Sequence, residues 1–145
     1  LQIAEQEIVE AFALLAVLKQ KDVPLRILCF RIKKPDAYPK IEATLKVSGE
    51  AYIFGLLDCV GELSRIIHDS QNRTESVMQV FTRMEELYVE LERFREFPNR
   101  KDPKIKIKDR AKLKHRIDSC GSQVTKSREL LGNLGTRIPK NGPYG

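Results

Sequence analysis

Four carboxylates stand where apolar side chains are expected. From Ile8 to Leu18 every residue is apolar except Glu10, and Glu7 precedes it by three positions. From Ala51 to Gly61 the only charge is Asp58, and Glu62 follows it by four. Spacings of three and four put side chains on one face of a helix. Ile3, Glu7, Glu10, Leu14 and Val17 therefore form one row, and Phe54, Asp58, Glu62 and Arg65 another. Taking an ionised carboxylate out of water costs several kcal/mol unless a cation, a proton or hydrogen bonds compensate. If the two rows face each other, four acids converge. With no histidine or cysteine among them, they suit a hard cation, Mg²⁺ or Mn²⁺. Such ions activate water and stabilise phosphoryl oxygens in phosphodiester cleavage. In the alternative, Glu7 lies on an exposed face and Asp58 or Glu62 pairs with Arg65, so that the acids make ion pairs and nothing more.

Helices must position these residues. The first runs from about Gln2 to Lys19, with apolar stripes at Ala4, Ile8, Ala11, Leu15, Leu18 and at Val9, Phe12, Ala16, and it stops before Pro24. Residues 22–46 are mixed: Val23–Phe30 reads as short helix or strand, and Pro35 and Pro39 mark loop. Ser48 is the N-cap expected for a second helix from about Gly49 to His68. Asn72 or Thr74 caps a third from about Glu75 to Glu96, whose apolar positions are Val77, Val80, Phe81, Met84, Leu87, Tyr88, Leu91 and Phe94. A basic connector spans 99–108. A fourth helix runs from about Asp109 to Leu131 through Leu113, Ile117, Cys120 and Val124, with Gly132 and Gly135 as stops. Residues 136–145 read as an irregular tail. Gly55 and Gly61 each cost about 1 kcal/mol inside a helix, which close approach of another helix or a ligand would offset. The expected fold is all-α, a bundle of long antiparallel helices forming one domain over 1–145.

Composition narrows the function. The 41% hydrophobic content supports one core in 145 residues, and 7% aromatic content without Trp disfavours a β-sandwich. Cys29, Cys59 and Cys120 form neither a CxxC pair nor an even disulfide framework, and two histidines leave little for a zinc site. The apolar run of 11 residues from Ile8 to Leu18 falls short of the roughly 20 needed to cross a bilayer. A cytoplasmic or nuclear location without membrane attachment is expected. The net charge of +6 is segregated: residues 100–145 carry 13 Lys or Arg against 4 acids. The run from Arg100 to Arg116 is either a phosphate-contacting surface, with Lys112 and Arg116 as candidates, or a solvated helix face. Arg65, one turn past Glu62, is placed to orient that carboxylate or to hold a phosphate. His68 and His115 read as surface or capping residues, and the thiols as small apolar side chains.

The fourteen residues Tyr52-Ile-Phe-Gly-Leu-Leu-Asp58-Cys-Val-Gly-Glu62-Leu-Ser-Arg65 resemble the signature helix of the translin family, most closely the branch typified by translin-associated factor X. Gln6-Glu7-Ile-Val-Glu10-Ala11 is similar to that branch's Glu-x-x-Glu segment, and Leu131-Gly-Asn-Leu-Gly135-Thr-Arg-Ile-Pro139 to the family's closing helix. Val60 stands where the family has Thr, and 32–46 matches poorly, as an insertion-like loop would. The resemblance implies an all-α subunit of closed, usually octameric shells that bind single-stranded RNA or DNA, as a homo-oligomer or together with a translin-type subunit. It implies a metal-dependent endoribonuclease whose catalytic and Mg²⁺- or Mn²⁺-binding acids are Glu7, Glu10, Asp58 and Glu62. The alternative is a non-catalytic nucleic-acid-binding scaffold subunit. Because family members carry helices before the Glu-x-x-Glu segment, the chain is expected to be the C-terminal portion of a longer subunit.

Overall fold

The computed structural model describes residues 2–19, 29–33, 42–70, 75–95 and 107–135. The helices are α1 (Gln2–Leu18), α2 (Gly49–Asp69), α3 (Glu75–Glu92) and α4 (Arg110–Gly135). Between α1 and α2 lie two strands, β1 (Cys29–Lys33) and β2 (Glu42–Lys46), paired antiparallel with Cys29 opposite Lys46 and Lys33 opposite Glu42. The expected helical bundle is present, and this two-stranded ribbon is an addition to it within the segment expected to be loop. Phe30 and Ile32 alternate there with Arg31 and Lys33, and Ala43 and Leu45 with Thr44 and Lys46. That is the period of a strand, in runs too short to stand out beside Pro35 and Pro39.

The helix ends follow local chemistry. Ser48 caps α2 as expected, its hydroxyl accepting a hydrogen bond from the Ala51 amide at 3.1 Å. The Glu5 carboxylate accepts from the Ser48 hydroxyl at 3.3 Å and ties α1 to the start of α2. The Asp109 carboxylate accepts from the Lys112 amide at 2.9 Å and caps α4. Helix α3 ends at Glu92, short of Glu96, where the Phe94 and Arg95 amides bond to the Leu91 and Glu92 carbonyls in tighter turns. Gly132 does not stop α4, which continues to Gly135. The proposed caps Asn72 and Thr74, Pro98, most of the basic connector and the tail 136–145 lie outside the described residues.

Helix α2 is the centre of the bundle and touches each of the other three, whereas α1 and α4 do not touch each other. Every residue from Glu50 to Leu57 is buried as a result. The expected apolar positions of α3 and α4 face this core: Phe81, Met84, Leu87 and Leu91 from one, Leu113, Ile117, Cys120, Val124 and Leu131 from the other. The hydroxyls of Ser64 and Ser127 hydrogen-bond to each other inside it, at 3.2 Å. The α1 stripe differs from expectation. Val9, Ala13 and Val17 face the core, while Leu15 and Leu18 remain about half exposed, at 48% and 49%. A helix that is apolar all round does not reveal which stripe is covered.

Contact pairs give the helix directions. Lys112 lies over Phe54, Arg116 pairs with Asp58, Gln123 lies against Gly61 and Ser127 against Ser64, so α2 and α4 run in the same sense. Glu5 meets Ser48 and Val9 meets Gly55, which makes α1 parallel to α2 as well. Helix α3 runs against α4, with Glu85 paired to Arg128 and Arg95 to Asp118. The antiparallel arrangement therefore holds for α3, and the other three helices are co-directional. Residues 19–48 and 93–109 supply connections long enough to return the chain to the starting end.

Gly55 is where α1 and α2 approach most closely. A Cβ there would sit 2.6 Å from the Val9 Cβ and 2.8 Å from the Gln6 carbonyl oxygen. At Gly61 it would meet only the Gln123 amide, at 3.6 Å, which is ordinary contact. Of the two glycines singled out in the sequence, only Gly55 is required by packing. We expect Gly55→Ala to destabilise the protein by about 1–3 kcal/mol. Gly61→Ala should be neutral or stabilising by up to about 1 kcal/mol. Urea unfolding of the two variants checks this, and equal effects at both positions would contradict the assignment.

Candidate active site

Because α1 and α4 flank α2 without touching, a cleft opens between them with α2 as its floor. Its volume is ≈ 300 Å³. Glu10 lines it from α1, Asp58, Gly61 and Glu62 from α2, and Arg116, Ser119 and Gln123 from α4. Three of the four sequence-predicted acids thus share one cleft, although they come from segments almost fifty residues apart. Glu7 lies one turn before Glu10, on an exposed part of α1.

The electrostatics of Glu10 register all four acids. Burial pushes its carboxyl above the ordinary carboxylate range, and the negative charges of Asp58, Glu62 and Glu7 push it further the same way. Arg116 opposes them weakly. Two other acids have cationic partners. Arg116 reaches from α4 to Asp58 in a charge-assisted hydrogen bond, both side chains being 29% exposed. Arg65 holds Glu62, donating from Nε at 3.1 Å and from a terminal nitrogen, and this bond holds the Glu62 carboxyl below its ordinary range. Arg65 itself is exposed and also lies 4.0 Å from Asp69. Of the nucleic-acid-binding candidates, Arg65 and Arg116 are therefore engaged with acids of the cleft. Lys112 and Arg116 lie over the buried Phe54 ring, 5.0 and 5.7 Å from its centroid.

Other chemistries find little support among the described residues. Burial pushes the Cys59 thiol up to about 12 and the Cys120 thiol up to about 11, so neither supplies a thiolate nucleophile near neutrality. His68 and His115 are exposed, as expected. A shallower groove of ≈ 600 Å³ on the α3 side of α4 mixes Glu92, Asp118 and Glu129 with Arg95, Lys126 and Arg128 and contains none of the four acids.

Helices that are apolar except for two acid pairs, packed so that the pairs meet in one cleft, are the feature that decides the comparison with known proteins. The sequence profile of the Translin family matches residues 2–134. The chain belongs to the translin family. No curated protein and no solved structure matches it significantly. Translin-family proteins bind nucleic acids and oligomerise. Among the described residues, no helix is long and apolar enough to cross a membrane.

A divalent cation is the group that the acid set and the family resemblance both imply. The donors fit it in chemistry: they are all carboxylate oxygens, and Glu10 is repelled by its three neighbours. Their placement is looser. Among the described residues no three His, Cys, Asp or Glu side chains gather closely enough to share one ion. The acids share a cleft and a field while Asp58 and Glu62 are turned to arginines. Sequence reasoning missed Ser119, Gln123 and the Phe54 shelf. The only available signal was the spacing of Lys112, Arg116, Ser119 and Gln123 by four, three and four along α4.

The raised Glu10 carboxyl has a defined pH signature. A group whose folded-state proton affinity is raised opposes folding once it is ionised, so this strain is absent at low pH and grows as pH rises through the carboxylate range. Glu10→Gln should therefore raise the melting temperature at pH 7. The gain should fade on acidification, as wild-type Glu10 takes up its proton. Thermal scans from pH 4 to 8 test this; a less stable variant at pH 7 would show that the Glu10 charge is favourable.

Proposed function

We propose that this translin-family chain is the catalytic type of subunit, resembling translin-associated factor X, and that it cleaves single-stranded RNA within an oligomeric shell. The observation that carries the reading is the coupling of Glu10 to Asp58, Glu62 and Glu7 in one cleft. Nothing in the packing of α1 against α2 needs four carboxylates there, and apolar side chains of similar volume would be as stable or more so. Glu7, Glu10, Asp58 and Glu62 would hold Mg²⁺ or Mn²⁺. Such an ion, when bound, supplies stabilisation of the phosphoryl oxygens and a more acidic water.

The rest of the work falls to side chains of the chain itself. Arg65 orients the Glu62 carboxylate through two donors. The Glu10 carboxylate, whose proton affinity is raised, is suited to take the proton of the attacking water. Lys112 and Arg116, on the Phe54 shelf beside the cleft, give the phosphodiester backbone of RNA or DNA a cationic edge. Partners under this reading are single-stranded nucleic acid and further subunits, of this chain or of a translin type. The buried free thiols Cys59 and Cys120 suit a reducing compartment, cytoplasm or nucleus.

One observation favours a second reading. Asp58 and Glu62 already have arginine partners, as they would in a scaffold subunit that binds nucleic acid without cutting it. A ribonuclease assay separates the two. The catalytic reading expects cleavage of single-stranded RNA that EDTA abolishes. Asp58→Ala or Glu10→Ala should lower it by more than the about 10–100-fold typical of outer-shell partners of a metal, with assembly unchanged. Undiminished cleavage by both variants would sink this reading, and oligonucleotide binding indifferent to EDTA, without cleavage, would establish the scaffold.

A further inference from the structure

Arg116 is the only cationic side chain lining the acid cleft among the described residues. It has two separate attachments there. Its guanidinium donates to the Asp58 carboxylate, and its Cζ lies 5.7 Å from the centroid of the Phe54 ring, which α2 presents one turn before Asp58. The ring supports Arg116 whether or not Asp58 holds it, and Lys112 shares the same shelf at 5.0 Å. Both members of the ion pair are partly open to solvent, at 29% exposure. The pair is therefore neither locked in the core nor free on the surface. Asp58 is also one of the three acids whose charges bear on Glu10, so Arg116 offsets part of the charge that a divalent cation would offset. A guanidinium and a divalent ion at the same carboxylate repel each other, and the repulsion is strong in a half-buried cleft.

From this we infer that Arg116 is a displaceable internal counter-ion: it holds Asp58 until a divalent cation binds, then turns on the Phe54 shelf to meet a phosphate of the nucleic-acid backbone. This rests on reading the acid cluster as a cation site, and it adds a regulatory coupling to that site. Cation and nucleic acid then bind cooperatively, because the arginine that one releases is offered to the other. Coupling of this kind is reciprocal: nucleic acid tightens the cation by the factor by which the cation tightens nucleic acid. Arg116 acts through Asp58 and the phosphate and is a positioning residue.

The test uses the full chain, Mn²⁺ titration calorimetry and a fluorescent single-stranded 2′-O-methyl oligoribonucleotide, which is not cleaved. In Arg116→Gln, Mn²⁺ without oligonucleotide should bind at least about five-fold more tightly than in wild type, the lower end of usual coupling between sites. The same variant should bind the oligonucleotide more weakly in Mn²⁺ and lose the Mn²⁺-dependent gain in its affinity. Arg116→Lys, which keeps the charge, should retain part of that gain. A merely structural arginine would give the opposite sign, since loosening the α2–α4 contact lowers Mn²⁺ affinity. Equal or weaker Mn²⁺ binding by Arg116→Gln overturns the counter-ion role and leaves the cation site standing. Failure of both wild type and variant to bind Mn²⁺ overturns the cation site and the counter-ion role together.

Discussion

The close approach of α1 to α2 at Gly55 governs the site. With no Cβ on Gly55, the Val9 side chain and the Gln6 carbonyl settle directly against the α2 backbone. This contact fixes both the depth and the register of the pair. Glu10, one residue past Val9, is carried to the edge of α2 beside Asp58 and Glu62. The two helices run in the same sense, so each acid pair rises along the bundle with the other. The mutual repulsion at Glu10 is thus a direct consequence of apolar packing one residue away. Burial of Val9, Ala13 and Val17 holds the acids together against their own charge.

The cleft is balanced by cations of different character. Arg65 is on the same helix as its partner Glu62, one turn away, so this pair forms wherever α2 forms and contributes little to tertiary stability. Arg116 comes from α4, so its bond to Asp58 exists only when the whole bundle is assembled. A half-buried pair of that kind is poor evidence for stability, because desolvation offsets much of the attraction. Its significance lies in making the charge state of the cleft depend on α4, the helix that also carries Lys112.

Charge segregation along the chain becomes spatial adjacency in the fold. The basic part of the sequence begins near residue 100 and the acids lie before residue 63, yet α4 lies along α2 and sets Lys112, Arg116, Ser119 and Gln123 beside the cleft. A translin-family subunit with this arrangement offers a polyanion a cationic edge next to a carboxylate floor. That juxtaposition suits positioning a phosphodiester more than recognising bases, for Phe54 is the aromatic ring beside the cleft and its face is covered by the two cations.

Much was legible before folding. Helices α2, α3 and α4 follow from 3.6-residue periodicity, Ser48 and Asp109 announce two helix starts, and the four acids stand out because each interrupts an apolar surface. Those signals are local, and a one-dimensional pattern carries them. The covered stripe of α1 was not legible, because an all-apolar helix offers several faces and Gly55 on another helix selects among them. Nor were the ribbon, whose strands are too brief to outweigh two prolines, the parallel sense of α1, α2 and α4, or the pairing of Asp58 with Arg116 across 58 residues. The sequence by itself determined which residues are chemically out of place and that their surroundings are helical. Tertiary structure alone decided which of them meet, because convergence depends on helix register and direction, and long-range packing, with no periodicity of its own, sets both.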